Sequence, residues 1–180
     1  WQSILSPIQV EPFLINSFNS KTYDSNTFIE FSIEPTLLYG TGGNSVTQLV
    51  LSELPSQTAH LDQEEAILDI GCGTGILGIA CAKLGYTHID LMDIDEAALL
   101  EASLNCIIND INANLMNEVQ SDKEYSLIIS NLYGHLHFEY ADYYKKSLSP
   151  NGIVLISGFD KNQKIELKNP VKLTIRSKCS

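Results

Sequence analysis

Basic residues are scarce in this chain. Only 11 Lys and Arg stand against 22 Asp and Glu, a formal charge of −11 over 180 residues. Neutralising phosphates needs clustered cations, so this balance argues against direct binding of nucleic acid. It suits a basic protein partner, although an acidic surface also serves solubility alone. Long apolar runs are missing as well. None approaches the roughly 20 residues that span a bilayer, so no membrane segment is expected. Residues 1–10 have neither a basic head nor a small-residue cleavage site, so no secretory leader is expected. Cys72, Cys81, Cys106 and Cys179 form no Cys-x-x-Cys pair. Free thiols in a reducing cytoplasm are the simplest expectation. There is no internal repeat and no low-complexity tract.

Apolar residues are plentiful, at 44%, enough for one globular domain with a core and a small appendage. Residues 1–35 read as a β-rich N-terminal or linker segment. Ile29, Phe31 and Ile33 alternate with Glu30, Ser32 and Glu34, as in a half-buried strand, with Ile8–Ile15 as its partner. After Tyr39-Gly-Thr41-Gly-Gly-Asn44, residues Val46, Leu49, Val50 and Leu54 recur at helical spacing. Asn44 or Ser45 is placed to cap that helix and Pro55 to end it, with 56–65 polar and exposed. From there strands and helices alternate. Strands are expected at 66–70, 88–93, 113–119, 125–130, 153–157 and 171–175. Helices are expected at 76–84, 96–109 and 135–148, with Pro150-Asn151-Gly152 as a turn. This alternation predicts an α/β, Rossmann-like domain over 36–180, mostly a parallel sheet with helices on both faces.

Three segments carry chemistry. Asp69-Ile-Gly71-Cys-Gly73-Thr-Gly75 lies between a buried strand and a helix. Its glycines let backbone approach a ligand closely at the carboxyl edge of the sheet. The spacing is Gly-x-Gly-x-Gly rather than the dinucleotide Gly-x-Gly-x-x-Gly, with an acid two places before the first glycine. That resembles the first motif of class I methyltransferases. It implies S-adenosyl-L-methionine, with Asp69 near the cationic amino-acid end, directly or through water. Asp93 ends the next strand and resembles the acid that takes both ribose hydroxyls. A carboxylate suits that task because it only accepts. Asp95 and Glu96 are nearby competitors, and Asp95 reads better as a helix cap. Ser130-Asn131-Leu-Tyr133-Gly134 follows the strand at 125–130, where class I enzymes present the group to be methylated. Planar-nitrogen methyltransferases carry Asn/Asp-Pro-Pro-Tyr/Phe there. The prolines are absent, while Asn131 and Tyr133 remain, which favours an amine acceptor. An asparagine that merely terminates a strand is the plainer alternative for Asn131.

His135-Leu-His137-x-Glu139 offers potential metal ligands. The two histidines fall on different sides of a helix and no third cluster exists, so no metal is expected. Cys72 reads as a small packed side chain. Tyr140, Tyr143 and Tyr144 read as a helix face and its rim.

These pieces together resemble the PrmA-type ribosomal-protein methyltransferases, which methylate large-subunit ribosomal protein eleven. The likeness spans about Pro35 to Gln163. It rests on Tyr39-Gly-Thr-Gly through Thr47, on Asp69 through Gly85, on Asp93-Ile-Asp95, on Ser130 through Gly134, and on Leu148-Ser-Pro-Asn-Gly with Leu155-Ile-Ser-Gly158. Asn44 and Val46 depart from the family's His and first Thr. The resemblance implies an N-methyltransferase acting on lysine or N-terminal amines of a protein, with a ribosomal protein as the expected acceptor. It implies cofactor binding by Thr41, Asp69, Gly71, Gly73, Gly75, Asp93 and Asn131, and catalysis at Asn131 and Tyr133. Its separate N-terminal docking domain has no counterpart among these motifs. The alternatives are a small-molecule or planar-nitrogen methyltransferase, a nicotinamide enzyme and a non-catalytic cofactor-binding scaffold. The number of methyls added and the oligomeric state are not legible.

Overall fold

The computed structural model describes residues 6–17, 27–34, 42–158 and 172–176. The expected cofactor residue Thr41, with Tyr39 and Gly40, lies outside them. The main sheet has six strands: β4 (Ala66–Ile70), β5 (His88–Met92), β6 (Asn114–Met116), β7 (Tyr125–Asn131), β8 (Leu148–Ser157) and β9 (Lys172–Arg176). Their order is β6-β5-β4-β7-β8-β9, and every neighbouring pair is parallel. The order reverses between β4 and β7, so the carboxyl ends of those strands flank a crevice of the kind where ligands bind.

Each buried strand is apolar on both sides, because both faces are covered. Ile67, Leu91, Leu127, Ile129 and Leu155 join one cluster, which holds Val50, Leu51, Ile79 and Ala102 from the helices α1 (Ser45–Thr58), α2 (Ile76–Lys83) and α3 (Glu96–Ile108). Leu68, Ile70, Ile128, Val154 and Ile156 join another, which holds Tyr144 of α4 (Leu136–Ser147). Helices therefore cover both faces, as the alternation predicts. Among the described residues no helix is long and apolar enough to cross a membrane.

The N-terminal segment forms its own three-stranded sheet. The expected single strand at 8–15 is instead a hairpin, β1 (Ile8–Val10) and β2 (Phe13–Asn16), turning at Glu11-Pro12. Proline has no N–H for a ladder, which places it at the turn. β2 then pairs in parallel with β3 (Ile29–Ser32). Val10, Phe13, Ile15 and Phe31 enter the same cluster as α1 and α2.

Asn44 caps α1 as expected, accepting from the Val46 amide at 2.8 Å. Pro55 does not end it. The helix runs on to Thr58, and Thr58 is buried rather than exposed. An interior proline costs about 3 kcal/mol. Val50, Leu51 and Leu54 are at most 2% exposed, and burying each contributes about 1.5–3 kcal/mol, so the sum outweighs the proline. The Thr58 carbonyl accepts from the Tyr86 hydroxyl at 2.6 Å, which fixes the last turn. The strand expected at 113–119 is shorter, and β8 starts at Leu148, ahead of the expected turn at 150–152.

Candidate active site

The site is assembled from the carboxyl ends of β4, β5, β7 and β8. β4 leads into the glycine turn, where Gly71, Gly73 and Gly75 all have positive φ, at 70°, 53° and 78°. Side chains rarely adopt that conformation, and a Cβ on Gly71 would collide with the Leu132 side chain. The turn is held from outside. The Met92 carbonyl accepts from the Gly71 and Cys72 amides at 2.8 and 3.0 Å. Asn105 of α3 donates to the Thr74 carbonyl at 3.0 Å and accepts from the Glu34 amide at 2.9 Å.

Asp69 lies beneath the turn, 1% exposed. Its Oδ2 accepts from the Gly78 amide of α2 at 3.1 Å. The N-cap position of α2 is Gly75, which offers no side chain. Asp69 thus satisfies an orphan amide of that helix end from the neighbouring strand. Burial pushes its carboxyl up to about 7. The Gly78 bond opposes that shift, and the negative charge of Asp93 adds to it.

Asp93 is half-buried. Its Oδ2 accepts from the Gly73 amide and its Oδ1 from the Asp95 amide, both at 3.0 Å. It therefore clips the glycine turn to the start of α3. Asp95 caps α3, accepting from the Ala97 amide at 2.9 Å, as the sequence predicts. The Asp93 amide donates to the Met116 carbonyl at 3.1 Å. Beyond Met116 is an open cavity of about 660 Å³, lined by 115–123. Lys123 on its wall is tied to buried Asp90 at 2.7 Å.

Asn131 closes β7. Its Nδ2 donates to Thr47 Oγ1 of α1 at 3.2 Å, and its Oδ1 accepts from the Ser157 hydroxyl at 2.8 Å. Gly158 lies against this strand end, since a Cβ there would collide with the Leu132 carbonyl. The loop before α1 reaches the same region. A Cβ on Gly42 would stand 2.9 Å from Ile76 Cδ1, at the first residue of α2.

The structure thus gathers Asp69, Gly71, Gly73, Gly75, Asp93 and Asn131 at one sheet edge. Tyr133, two residues beyond Asn131, stands at the exposed rim of that edge. That ring is 78% exposed and stacks on His135, with centroids 6.5 Å apart. Cys72 is buried, and burial raises its thiol pKa well above the usual range. Sequence reasoning missed Thr47, Ser157 and Asn105 as partners of the site. They lie 84, 26 and 31 residues from the groups they hold, and no local pattern announces such pairings.

The sequence profile of the family described as Ribosomal protein L11 methyltransferase (PrmA) matches residues 1–176. The chain belongs to this family. It is 38% identical over 134 residues to the ribosomal protein L11 methyltransferase of Lactobacillus gasseri, covering 71% of this chain and 41% of that protein. With the Thermus thermophilus counterpart it shares 30% over 167 residues, covering 91% and 63%. The chain therefore spans only part of the length of these relatives. The solved ribosomal protein L11 methylase of Lactobacillus delbrueckii subsp. bulgaricus superposes with a TM-score of 0.76 at 23% identity, over 87% of this chain and 81% of that one. A SAM-dependent methyltransferase from Agrobacterium tumefaciens superposes with a TM-score of 0.55 at 15% identity, over 68% of this chain and 47% of that one. Both likenesses show the Rossmann-like fold.

Proposed function

We propose that this chain binds S-adenosyl-L-methionine and methylates an amino group of a basic protein, with ribosomal protein L11 as the acceptor. The observation that carries this reading is the meeting of the glycine turn and Asp93 with Asn131 at one sheet edge. Membership of a family of that name supports the acceptor.

The residues suit the cofactor. A carboxylate offers about four lone-pair sites. Backbone amides use two at Asp93, leaving one on each oxygen for a ribose diol. Asp69 supplies a buried acid below the turn, in reach of the field of a cationic amino-acid end. The opening beyond Met116 has room for the adenine ring. When bound, the cofactor supplies an electrophilic methyl on a sulfonium.

The protein must present a neutral amine. A lysine with a reference pKa near 10.4 is neutral only about once in a thousand near pH 7.4. That deficit is roughly 4 kcal/mol, to be offset by desolvation or by a base. Asn131 sits where an acceptor would approach. One lone pair of its Oδ1 is taken by Ser157, and the other is left to orient an amine N–H. Tyr133 belongs to the rim of this site, where its exposed ring borders an incoming substrate. The missing prolines at 132 and 133 disfavour a planar-nitrogen acceptor.

The test is transfer of labelled methyl from S-adenosylmethionine to purified L11, to free lysine and to adenosine. Label on L11 amines is expected. Label on adenosine alone, or on none of the three, would overturn the proposal.

A further inference from the structure

A chain of buried polar groups runs through the sheet beneath Asn131. Ser157 ends β8 and pairs in register with Asn131. It is 1% exposed and serves both faces of the sheet. Its hydroxyl donates to Asn131 Oδ1 on the α1 face, at 2.8 Å. Its carbonyl lies 2.8 Å from His137 Nε2 of α4, on the other face. A carbonyl only accepts, so Nε2 carries the proton. Burial lowers the His137 pKa, although nearby backbone carbonyls of Ser157 and Leu132 oppose this; in the neutral ring with Nε2 protonated, Nδ1 accepts. Nδ1 lies 3.1 Å from the Tyr144 hydroxyl, which lies 2.9 Å from the Ser130 hydroxyl. One consistent order of donation follows: Ser130 to Tyr144, Tyr144 to His137, His137 to Ser157, Ser157 to Asn131, Asn131 to Thr47.

A buried, satisfied histidine can serve stability alone. Two features point further. The Ser157 hydroxyl bonds directly to the side chain that faces the acceptor, and His137 holds the Ser157 backbone from the other face of the sheet. We propose that Ser157 and His137 are positioning residues for Asn131, holding its amide in the one orientation that leaves an oxygen lone pair for the incoming amine. The inference rests on the reading of Asn131 as the acceptor-orienting group.

Ser157→Ala removes one neutral hydrogen bond from Asn131. It should lower kcat on L11 roughly three- to tenfold, with KM for S-adenosylmethionine within about twofold of the parent. In an Asn131→Ala background the same change should have no further effect. His137→Leu deletes the donor to Ser157 and should lower kcat similarly. His137→Gln keeps an N–H near the Nε2 position and should recover most of it. Full additivity of the two changes, or equal loss in His137→Gln and His137→Leu, would overturn the proposal. Side-chain amide resonances of 15N-asparagine-labelled protein read the same claim without turnover. The Asn131 pair should move in Ser157→Ala and His137→Leu and stay near its parent position in His137→Gln; an unmoved pair in all three refutes positioning. A parent that fails to methylate L11 but shows these shifts would count against the acceptor, not against the positioning residues.

Discussion

Asp93 serves the fold and, in the proposed complex, the cofactor. Its two oxygens each accept a backbone amide at 3.0 Å, from Gly73 and from Asp95. In the proposed complex each would also accept a ribose hydroxyl. Asp93→Asn keeps the shape, removes the charge and turns one acceptor into a donor. One backbone amide then faces an N–H, and one ribose hydroxyl loses its charged acceptor. A hydrogen bond to a charged group contributes about 1.5–3 kcal/mol. The loss to the ribose alone weakens cofactor binding roughly ten- to a hundredfold. Titration calorimetry at 10 °C measures it, with thermal denaturation confirming that the variant is folded at that temperature. Asp95→Ala is the control. It removes the α3 cap on the Ala97 amide, which costs about 1 kcal/mol of stability, and should leave affinity within about threefold of the parent. Parent affinity in Asp93→Asn, or equal weakening in Asp95→Ala, would refute the ribose assignment.

Three further outcomes are expected. Gly73→Val forces a β-branched residue to φ 53°, at a cost of roughly 1–2 kcal/mol; the circular dichroism spectrum should persist while calorimetric binding vanishes, and normal binding would move the site elsewhere. The Asp69 carboxyl, at about 7 when folded against 3.8 as a free group, holds a proton that the unfolded chain releases. Its contribution to stability is full below about pH 3.8 and lost as pH rises through 7, so without cofactor the melting temperature should fall across that window. Asp69→Asn should flatten the fall, and identical slopes in a pH series of melts would show that Asp69 ionises freely. Asn131→Ala should bind cofactor normally and lose most turnover on L11. Asn131→Asp, whose carboxylate favours a protonated amine, should recover as pH rises; a pH–rate profile with no recovery contradicts the orienting role.

The glycine turn was legible because an apolar run marks β4 before it and a helical pattern marks α2 after it, and because three glycines in five residues have few other uses. The α3 cap at Asp95 was legible for a similar reason, since capping is local in sequence. Pro55 misled because its penalty is local, while the burial of Val50, Leu51 and Leu54 that overrides it is tertiary. The hairpin at 8–16 was hidden for the opposite reason: both strands are apolar, so the run reads as one. Asn131 was found by its position after a strong strand, but what holds it was not. The spacing of His135 and His137 disfavours a metal site but says nothing of the hydrogen-bonding link that His137 forms under the strand ends.

The edge formed by Asp69, the glycine turn, Asp93 and Asn131 is the proposed seat of S-adenosylmethionine. Calorimetric titration of the chain with S-adenosylmethionine and, separately, with NAD tests it most directly. Saturable one-to-one binding of S-adenosylmethionine is expected, lost in Gly73→Val, with no heat of binding with NAD. Binding of NAD with none of S-adenosylmethionine would contradict this assignment.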